Sequence, residues 1–359
     1  MTGTASTDKS SSGKTPAGKA SPPVTGAADE PPVRSRPRIG PARWRDFSLV
    51  PVIFVLGVIG FIVSPAFLTQ DNLIGVVQQS TELGLLVLGE ALILISGRMD
   101  LSLESTIGLA PVVALWLVMP AHGARFAGLE LFPAWTAVPL CLAVGAVVGA
   151  VNGFLILTLR VNGFIATLGM LTMLRGLQVG LSEGQSIGNV PDSFAYLGKA
   201  DWFGIPAAVW ICLALFALGG AVLGYFRHGR ALYAIGGNPE AARAAGIRVD
   251  RITWTVLAVG GVLAAFAGIL YTGHYGAVSA SQGDGWIFQV FAAAVIGGIG
   301  LKGGRGTLFG ALTGVLTLQL VINVMTLGGV PPLWTQFLNG MIIIIALVIS
   351  RFTSGEKQD

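Results

Sequence analysis

Residues 73–96 read LIGVVQQSTELGLLVLGEALILIS, a run whose only charged members are Glu82 and Glu90. As a helix rising 1.5 Å per residue, this run covers about 36 Å, enough to cross a hydrocarbon layer about 30 Å thick. Helix is the default, because backbone groups in lipid must satisfy one another internally. A transmembrane barrel would instead show alternating segments of about ten residues. Working outward, comparable runs fall at 48–67, 102–119, 135–158, 162–180, 206–226, 252–273, 286–301, 307–327 and 334–351. The expected fold is therefore all-α, a polytopic membrane protein with about ten transmembrane helices. Of the 359 residues, 53% are apolar and 11% charged, against roughly 25% charged in a soluble domain. That excludes a soluble enzyme, a disordered protein and a disulfide scaffold. Cys141 and Cys212 both sit inside apolar runs and read as small core residues.

Residues 1–46 form a separate zone rich in Ser, Thr, Pro, Gly, Lys and Arg, without the apolar core of a secretory signal. They are expected to be a disordered cytoplasmic segment. Residues 47–352 then form the transmembrane domain and 353–359 a cytoplasmic tail. Ten spans put both termini on one side. With that side cytoplasmic, the inner loops carry Arg98, Arg160, Arg227, Arg230, Arg243, Arg248, Arg251, Lys302 and Arg305, whereas the outer loops carry only Arg125 and Lys199. This asymmetry is what the positive-inside rule demands. The net charge of +4 thus reflects topology, and no nucleic-acid partner is expected. Gly13-Lys14-Thr15 is not a phosphate loop, since Asp8 stands where the first glycine belongs and no strand precedes it. With no Walker loop in the chain, the energy for any transport must come from a partner or an ion gradient.

The inner loop 227–251 is the most informative connection. Asn238 suits a helix N-cap, Pro239 the first helical position and Gly246 a left-handed stop, with an alanine-rich stretch between them. The pattern predicts a helix of about two turns, roughly 10 Å long. So short a helix is marginal alone in water. Either it is simply a well-capped loop helix, or its small side chains are shaped for a groove on a cytosolic partner.

Glu240-Ala241-Ala242 followed by Gly246 resembles the EAA-x-x-x-G signature of ABC-importer permeases. The later Ile and Leu-Pro of that signature are absent, and the chain reads Val256-Leu257-Ala258 there. Over residues 48–352 the chain is similar to the ribose/xylose/galactose-type sugar permeases. The matching stretches are Ser96–Ser102, Val151-Asn152-Gly153, Phe164–Gly169 with Arg175-Gly176, Tyr233–Arg243, Gly297-Gly298 and Gly303–Gly306. Arg98 and Met99 depart from the family's usual Gly-Ile before Asp-Leu-Ser. The resemblance implies the permease subunit of a binding-protein-dependent importer of a monosaccharide, in a bacterial cytoplasmic membrane. It also implies a cytosolic ABC ATPase subunit, an extracytoplasmic sugar-binding protein and a second permease chain as partners. Asn238, Pro239, Glu240, Ala241, Ala242, Arg243 and Gly246 then form the ATPase-coupling element. No catalytic residue and no cofactor is expected.

Ionisable side chains within spans are expensive and are functional candidates by default. Glu82 lies about 14 Å into its span, and Glu90 follows at i+8, about 80° round the helix. They either line a pathway or bond to neighbouring helices. Arg175 either pairs with one of them or extends to the interface. Asp100 and Ser102, with Glu104, either cap the helix that follows or contribute polar groups to a sugar route, alongside Asn152, Asn162, Thr167 and Gln178. Gly145/Gly149/Gly153 and Gly306/Gly310/Gly314 have the spacing of close helix packing. Gly298–Gly303 fits G-x-G-x-x-G, yet no acidic residue follows before Glu356, so it is read as a membrane turn. His122, His228 and His274 are placed in three separate loops, with no metal-ligand spacing. Loops 120–134, 181–205 and 274–285 are candidates for docking the external protein. The rival functions are a branched-chain amino-acid permease and an ion-coupled transporter using Glu82 or Glu90.

Overall fold

The structure, a computed structural model, describes residues 49–121 and 126–331 together with Trp334, Phe337, Gly340, Met341 and Ile344. The expectations for residues 1–46, for the tail 353–359, for His122 and Arg125, and for most of the span 334–351 fall outside the described residues. Twelve α-helices follow in order among the described residues: α1 Leu49–Val63, α2 Gln70–Ile95, α3 Leu103–Val118, α4 Ala137–Gly153, α5 Gly163–Leu181, α6 Asp192–Lys199, α7 Ala207–Tyr225, α8 Arg227–Gly237, α9 Pro239–Ala244, α10 Val249–Tyr275, α11 Trp286–Ile296 and α12 Leu308–Leu327. A two-residue hairpin, β1 Asp201–Trp202 with β2 Ile205–Pro206, lies between α6 and α7. A single antiparallel bridge joins Ile187 to Val278.

Each of the first nine apolar runs holds a helix. Six segments are long and apolar enough to cross a membrane: 70–95, 134–158, 163–181, 207–225, 249–275 and 308–327. The other three are shorter, with α1 at 15 residues, α3 at 16 and α11 at 11. Eleven residues rise only about 16 Å, so α11 is a half-helix, shorter than the span expected over 286–301. Two connections are also richer than expected. The loop 227–251 holds two helices, α8 and α9, and the loop 181–205 holds α6 and the first strand of the hairpin.

The α2 helix is the axis of the packing, buried at every position from Thr81 to Ala91 and in contact with α7, α10, α11 and α12. Its Leu85, Leu86, Val87 and Ile93 join Leu257, Ala264 and Leu270 of α10 in the main core. Glycine decides how closely α10 approaches α4. A Cβ on Gly145 would run into the carbonyl of Gly261, and one on Gly149 into that of Leu257, so packing is the work of this row. Gly314 meets Ala293 of α11 in the same manner, and Gly310 meets Gly297 just beyond it, while Gly306 lies before α12 in a loop. The amides of Asn72 and Asn323 exchange two hydrogen bonds, 3.1 and 2.8 Å, between α2 and α12. Cys141 and Cys212 are buried free thiols.

Candidate functional site

The segment expected to couple to an ATPase builds itself locally. Asn238 Oδ1 accepts from the amides of Glu240 and Ala241, both at 3.0 Å, Pro239 occupies the first turn, and Gly246 takes φ +80°. This is the cap chemistry expected from the sequence. Asn238, Pro239, Glu240, Ala241, Arg243 and Gly246 are exposed. Ala242 alone is buried, anchoring α9 on Ile235 of α8 and Val249 of α10. Arg243 bridges to Asp250 at 3.1 Å on the surface. The result is a short rod held from beneath, with its outer side presented to solvent.

The preceding α8 ties this rod to the interior. A Cβ on Gly236 would overlap the carbonyl oxygen of Ile95 and the amide of Gly304. Gly304 N–H in turn donates to that Ile95 oxygen at 2.9 Å. Tyr233 donates its hydroxyl to Gly306 O at 2.7 Å. The end of α2, the end of α8 and the loop 297–306 thus meet backbone against backbone.

Next to this junction, Glu90, Asp100, Ser102 and Asn152 form one fully buried knot. Asp100 N–H donates to both Glu90 oxygens at 3.3 Å, and Asp100 Oδ1 accepts from the Ser102 amide at 2.9 Å and hydroxyl at 2.7 Å. Asn152 Nδ2 donates to Asp100 Oδ2 at 2.9 Å and to Ser102 Oγ at 2.7 Å. Ser102 is the N-cap of α3 by position, yet its side chain accepts no cap bond. Its hydroxyl is spent on Asp100, so of the two uses open to Asp100 and Ser102 the side-chain cap is not made, and the pair instead links α2, α3 and α4. Thr167 bonds back to Gly163 O at 2.9 Å within α5 and joins neither cluster.

The remaining candidates gather around the start of α11. Arg175 meets neither Glu82 nor Glu90. Its guanidinium lies 3.2 Å from Glu104 and 3.9 Å from Asp284, and donates to Gln282 O at 2.8 Å and Gln178 Oε1 at 3.1 Å. The second Glu104 oxygen accepts from Ile287 N–H at 3.0 Å, so this carboxylate caps α11, where negative charge is favoured. Pro111 has no amide hydrogen for the carbonyl of Ile107. Gln282 Nε2 supplies the missing donor at 2.9 Å.

Glu82 finds its partner in His274, Nδ1 to Oε1 at 2.8 Å. His274 therefore lies in the last turn of α10, not in a loop, while His228 lies in α8. Tyr271 and Tyr275 flank this pair, with ring centroids 4.5 Å apart, His274 and Tyr275 are likewise 4.5 Å apart, and Trp286 meets Tyr271 edge-on at 5.3 Å. The sequence reading missed Tyr271, Tyr275 and Trp286. The i, i+3, i+4 spacing of Tyr271, His274 and Tyr275 was an available sign of a shared face. Among the described residues no three His, Cys, Asp or Glu side chains gather as metal ligands would.

The family described as "Branched-chain amino acid transport system / permease component" matches residues 72–347. The chain is 32% identical to the ribose import permease protein RbsC of Escherichia coli K12 over 85% of its own length and 92% of that protein. It is 34% identical to the autoinducer 2 import system permease protein LsrC of Klebsiella pneumoniae, over 85% of this chain and 86% of the other. It is 32% identical to the L-arabinose transport system permease protein AraH of E. coli K12, over 88% and 93%. No solved structure matches. With about three-quarters of its length covered by the family match, the chain belongs to this family of transport-system permease components, as a multi-pass membrane protein.

Proposed function

We propose that the chain is the membrane permease subunit of a binding-protein-dependent importer of a monosaccharide, driven by ATP hydrolysed on separate ABC ATPase subunits. The observation that carries this reading is α9, a capped rod anchored by one buried alanine and otherwise open to a partner. On this reading residues 47–352 cross the bilayer about ten times as the permease domain, both termini are cytoplasmic, and two copies of the chain enclose the route. Asn238, Pro239, Glu240, Ala241, Ala242, Arg243 and Gly246 seat the ATPase subunit. ATPase closure displaces α9 and α8. The contact of Gly236 with Ile95 and Gly304 passes that displacement to α2 and to the loop 297–306. From that loop α11 leads back to Trp286, between the Glu104–Arg175 pair and the Tyr271 ring.

A neutral cargo suits the electrostatics. Arg175 is paired with Glu104 and Glu82 is hydrogen-bonded to His274, so the cation of this cluster is already held by a carboxylate of the chain rather than left for the carboxylate of a zwitterion. The permease relatives named for ribose, L-arabinose and autoinducer 2 support the same choice over the amino-acid branch for which the family is titled. The test is uptake by proteoliposomes holding the permease, its ATPase and its binding protein. Labelled D-ribose, L-arabinose or D-xylose is expected to accumulate only with internal ATPase and ATP. Accumulation of leucine instead, or sugar uptake on a proton gradient without the ATPase, overturns the reading.

A further inference from the structure

We infer that Tyr271, His274, Tyr275 and Trp286, braced by Glu82, form a sugar-contact station at which the permease itself reads its cargo; this rests on the importer reading above. The four rings come from two elements, the last turn of α10 and the first residue of α11, and form one chain of contacts with centroids 4.5–5.3 Å apart. None of the four is fully buried. Tyr275 is 55% exposed, and Tyr271, His274 and Trp286 are half-buried. Among the described residues nothing accepts from the Tyr271 or Tyr275 hydroxyl or the Trp286 indole N–H, and the Nε2 edge of His274 is likewise unpaired. Each is a competent hydrogen-bonding group. Half-buried rings with unspent polar edges match a sugar, which offers C–H faces for stacking and hydroxyls at its rim.

An interfacial belt of Tyr and Trp, anchoring helix ends in lipid headgroups, is the simpler use of such residues. The geometry argues against it. Belt residues need no ionisable partner, whereas this chain of rings includes an imidazole, 28% exposed, bound to a carboxylate that is 3% exposed. A lipid-facing wall would not retain that pair, because intramembrane ionisable groups turn toward protein or water. Asp284, 71% exposed beside Arg175, marks the same side as wet.

The placement also suits transport. Tyr275 ends the 27-residue α10, whose first turn is separated from the end of α9 by residues 245–248. The two ends lie about 40 Å apart by helical rise. Trp286 opens α11, whose other end leads into the loop clamped on Gly236. Gly283 and Gly285, at φ +86° and +77°, form the turn before Trp286, and side chains are strained there. A movement of the cytoplasmic junction therefore reaches Trp286 through α11 and changes its distance from Tyr271.

The test uses the assembled permease–ATPase–binding-protein complex in proteoliposomes, with labelled D-ribose, L-arabinose, D-xylose and 2-deoxy-D-ribose as probes. Trp286→Ala and Tyr271→Ala are expected to raise the uptake KM for the preferred sugar about tenfold. Tyr271→Phe, which keeps the ring, is expected to narrow the preference for ribose over 2-deoxyribose. Phe288→Ala, exposed on α11 and outside the ring contacts, serves as the control, with KM within about twofold of wild type. Thermal melts of each variant identify any that misfold, and Tyr271→Phe and Phe288→Ala carry the comparison if the larger truncations do. KM values and sugar preference unchanged in folded station variants overturn the proposal and return these rings to the interfacial belt. A wild-type complex that takes up leucine and none of the sugars overturns the importer reading beneath it.

Discussion

Gly236→Ala is the sharpest perturbation of the proposed transmission path. The added methyl would overlap two backbone atoms, Ile95 O and Gly304 N, neither of which can rotate away as a side chain could. Overpacking of this kind costs about 1–3 kcal/mol. Spreading the junction also parts the 2.9 Å hydrogen bond from Gly304 to Ile95, and an unmet buried pair adds about 1–3 kcal/mol. The sum is about 2–6 kcal/mol, and its lower end is about a 30-fold shift in equilibrium. Gly237→Ala supplies the control one residue away, where an added Cβ meets nothing within 4 Å. There the change is within about 1 kcal/mol, and any helix-propensity effect is a gain. Melting curves of the purified full chain and ATP-driven uptake in proteoliposomes read the difference. Gly236→Ala is expected to melt at least about 4 °C lower and to lose most transport, with Gly237→Ala close to wild type. Identical melting and uptake for the two variants would show that Gly236 is not a load-transmitting contact.

Three further outcomes follow from other contacts. Gln282→Leu removes the donor to Ile107 O and is expected to cost about 1–3 kcal/mol in chemical or thermal unfolding. In a Pro111→Ala background, where residue 111 regains an amide hydrogen, the same change is expected to cost markedly less, and strict additivity in that double-mutant cycle would contradict the pairing. Arg175→Met leaves the buried Glu104 carboxylate without its cation and is expected to destabilise by about 3 kcal/mol, with Arg175→Met/Glu104→Gln recovering most of it. Equal losses in the single and double variants would contradict this. Asn238→Ala removes the cap of α9 at about 1 kcal/mol, seen as about fivefold faster hydrogen exchange across residues 240–244 with little change in melting temperature. Asn238→Ser is expected to restore slow exchange.

What the sequence disclosed follows from the range of the forces involved. A lipid environment imposes long apolar runs, so nine helices lie where hydropathy put them, and a helix cap is written in four adjacent residues, so Asn238–Gly246 was legible to the residue. The amphipathic α8 was hidden because eleven residues with three glycines carry little more than one repeat of a helical pattern. Leu232 and Ile235, which it buries, are its only strong apolar marks. The half-length of α11 was invisible in a 286–301 run that continues as apolar loop. Pairings were the least legible. Glu82 and His274 are 192 residues apart, and Arg175 and Glu104 are 71 apart. No local spacing rule reaches across such separations. The junction glycines were recognised as a family motif, but their service as backbone-to-backbone contacts emerges only when α2, α8 and the loop 297–306 are brought together.

The proposed seat of the ATPase subunit on α9 can be probed with one thiol. Ala241 is exposed at the middle of α9, and the chain's two natural cysteines are buried, so Ala241→Cys offers maleimide a defined target. Labelling of the introduced thiol in the purified permease is compared with its labelling in the transport-competent complex, with and without ATP. Strong protection once the ATPase subunit is bound, changing in degree with nucleotide, is the expected result. A complex that pumps its cargo at the normal rate while the Ala241→Cys thiol labels as freely as in the isolated permease would contradict the assignment of α9 as the coupling rod.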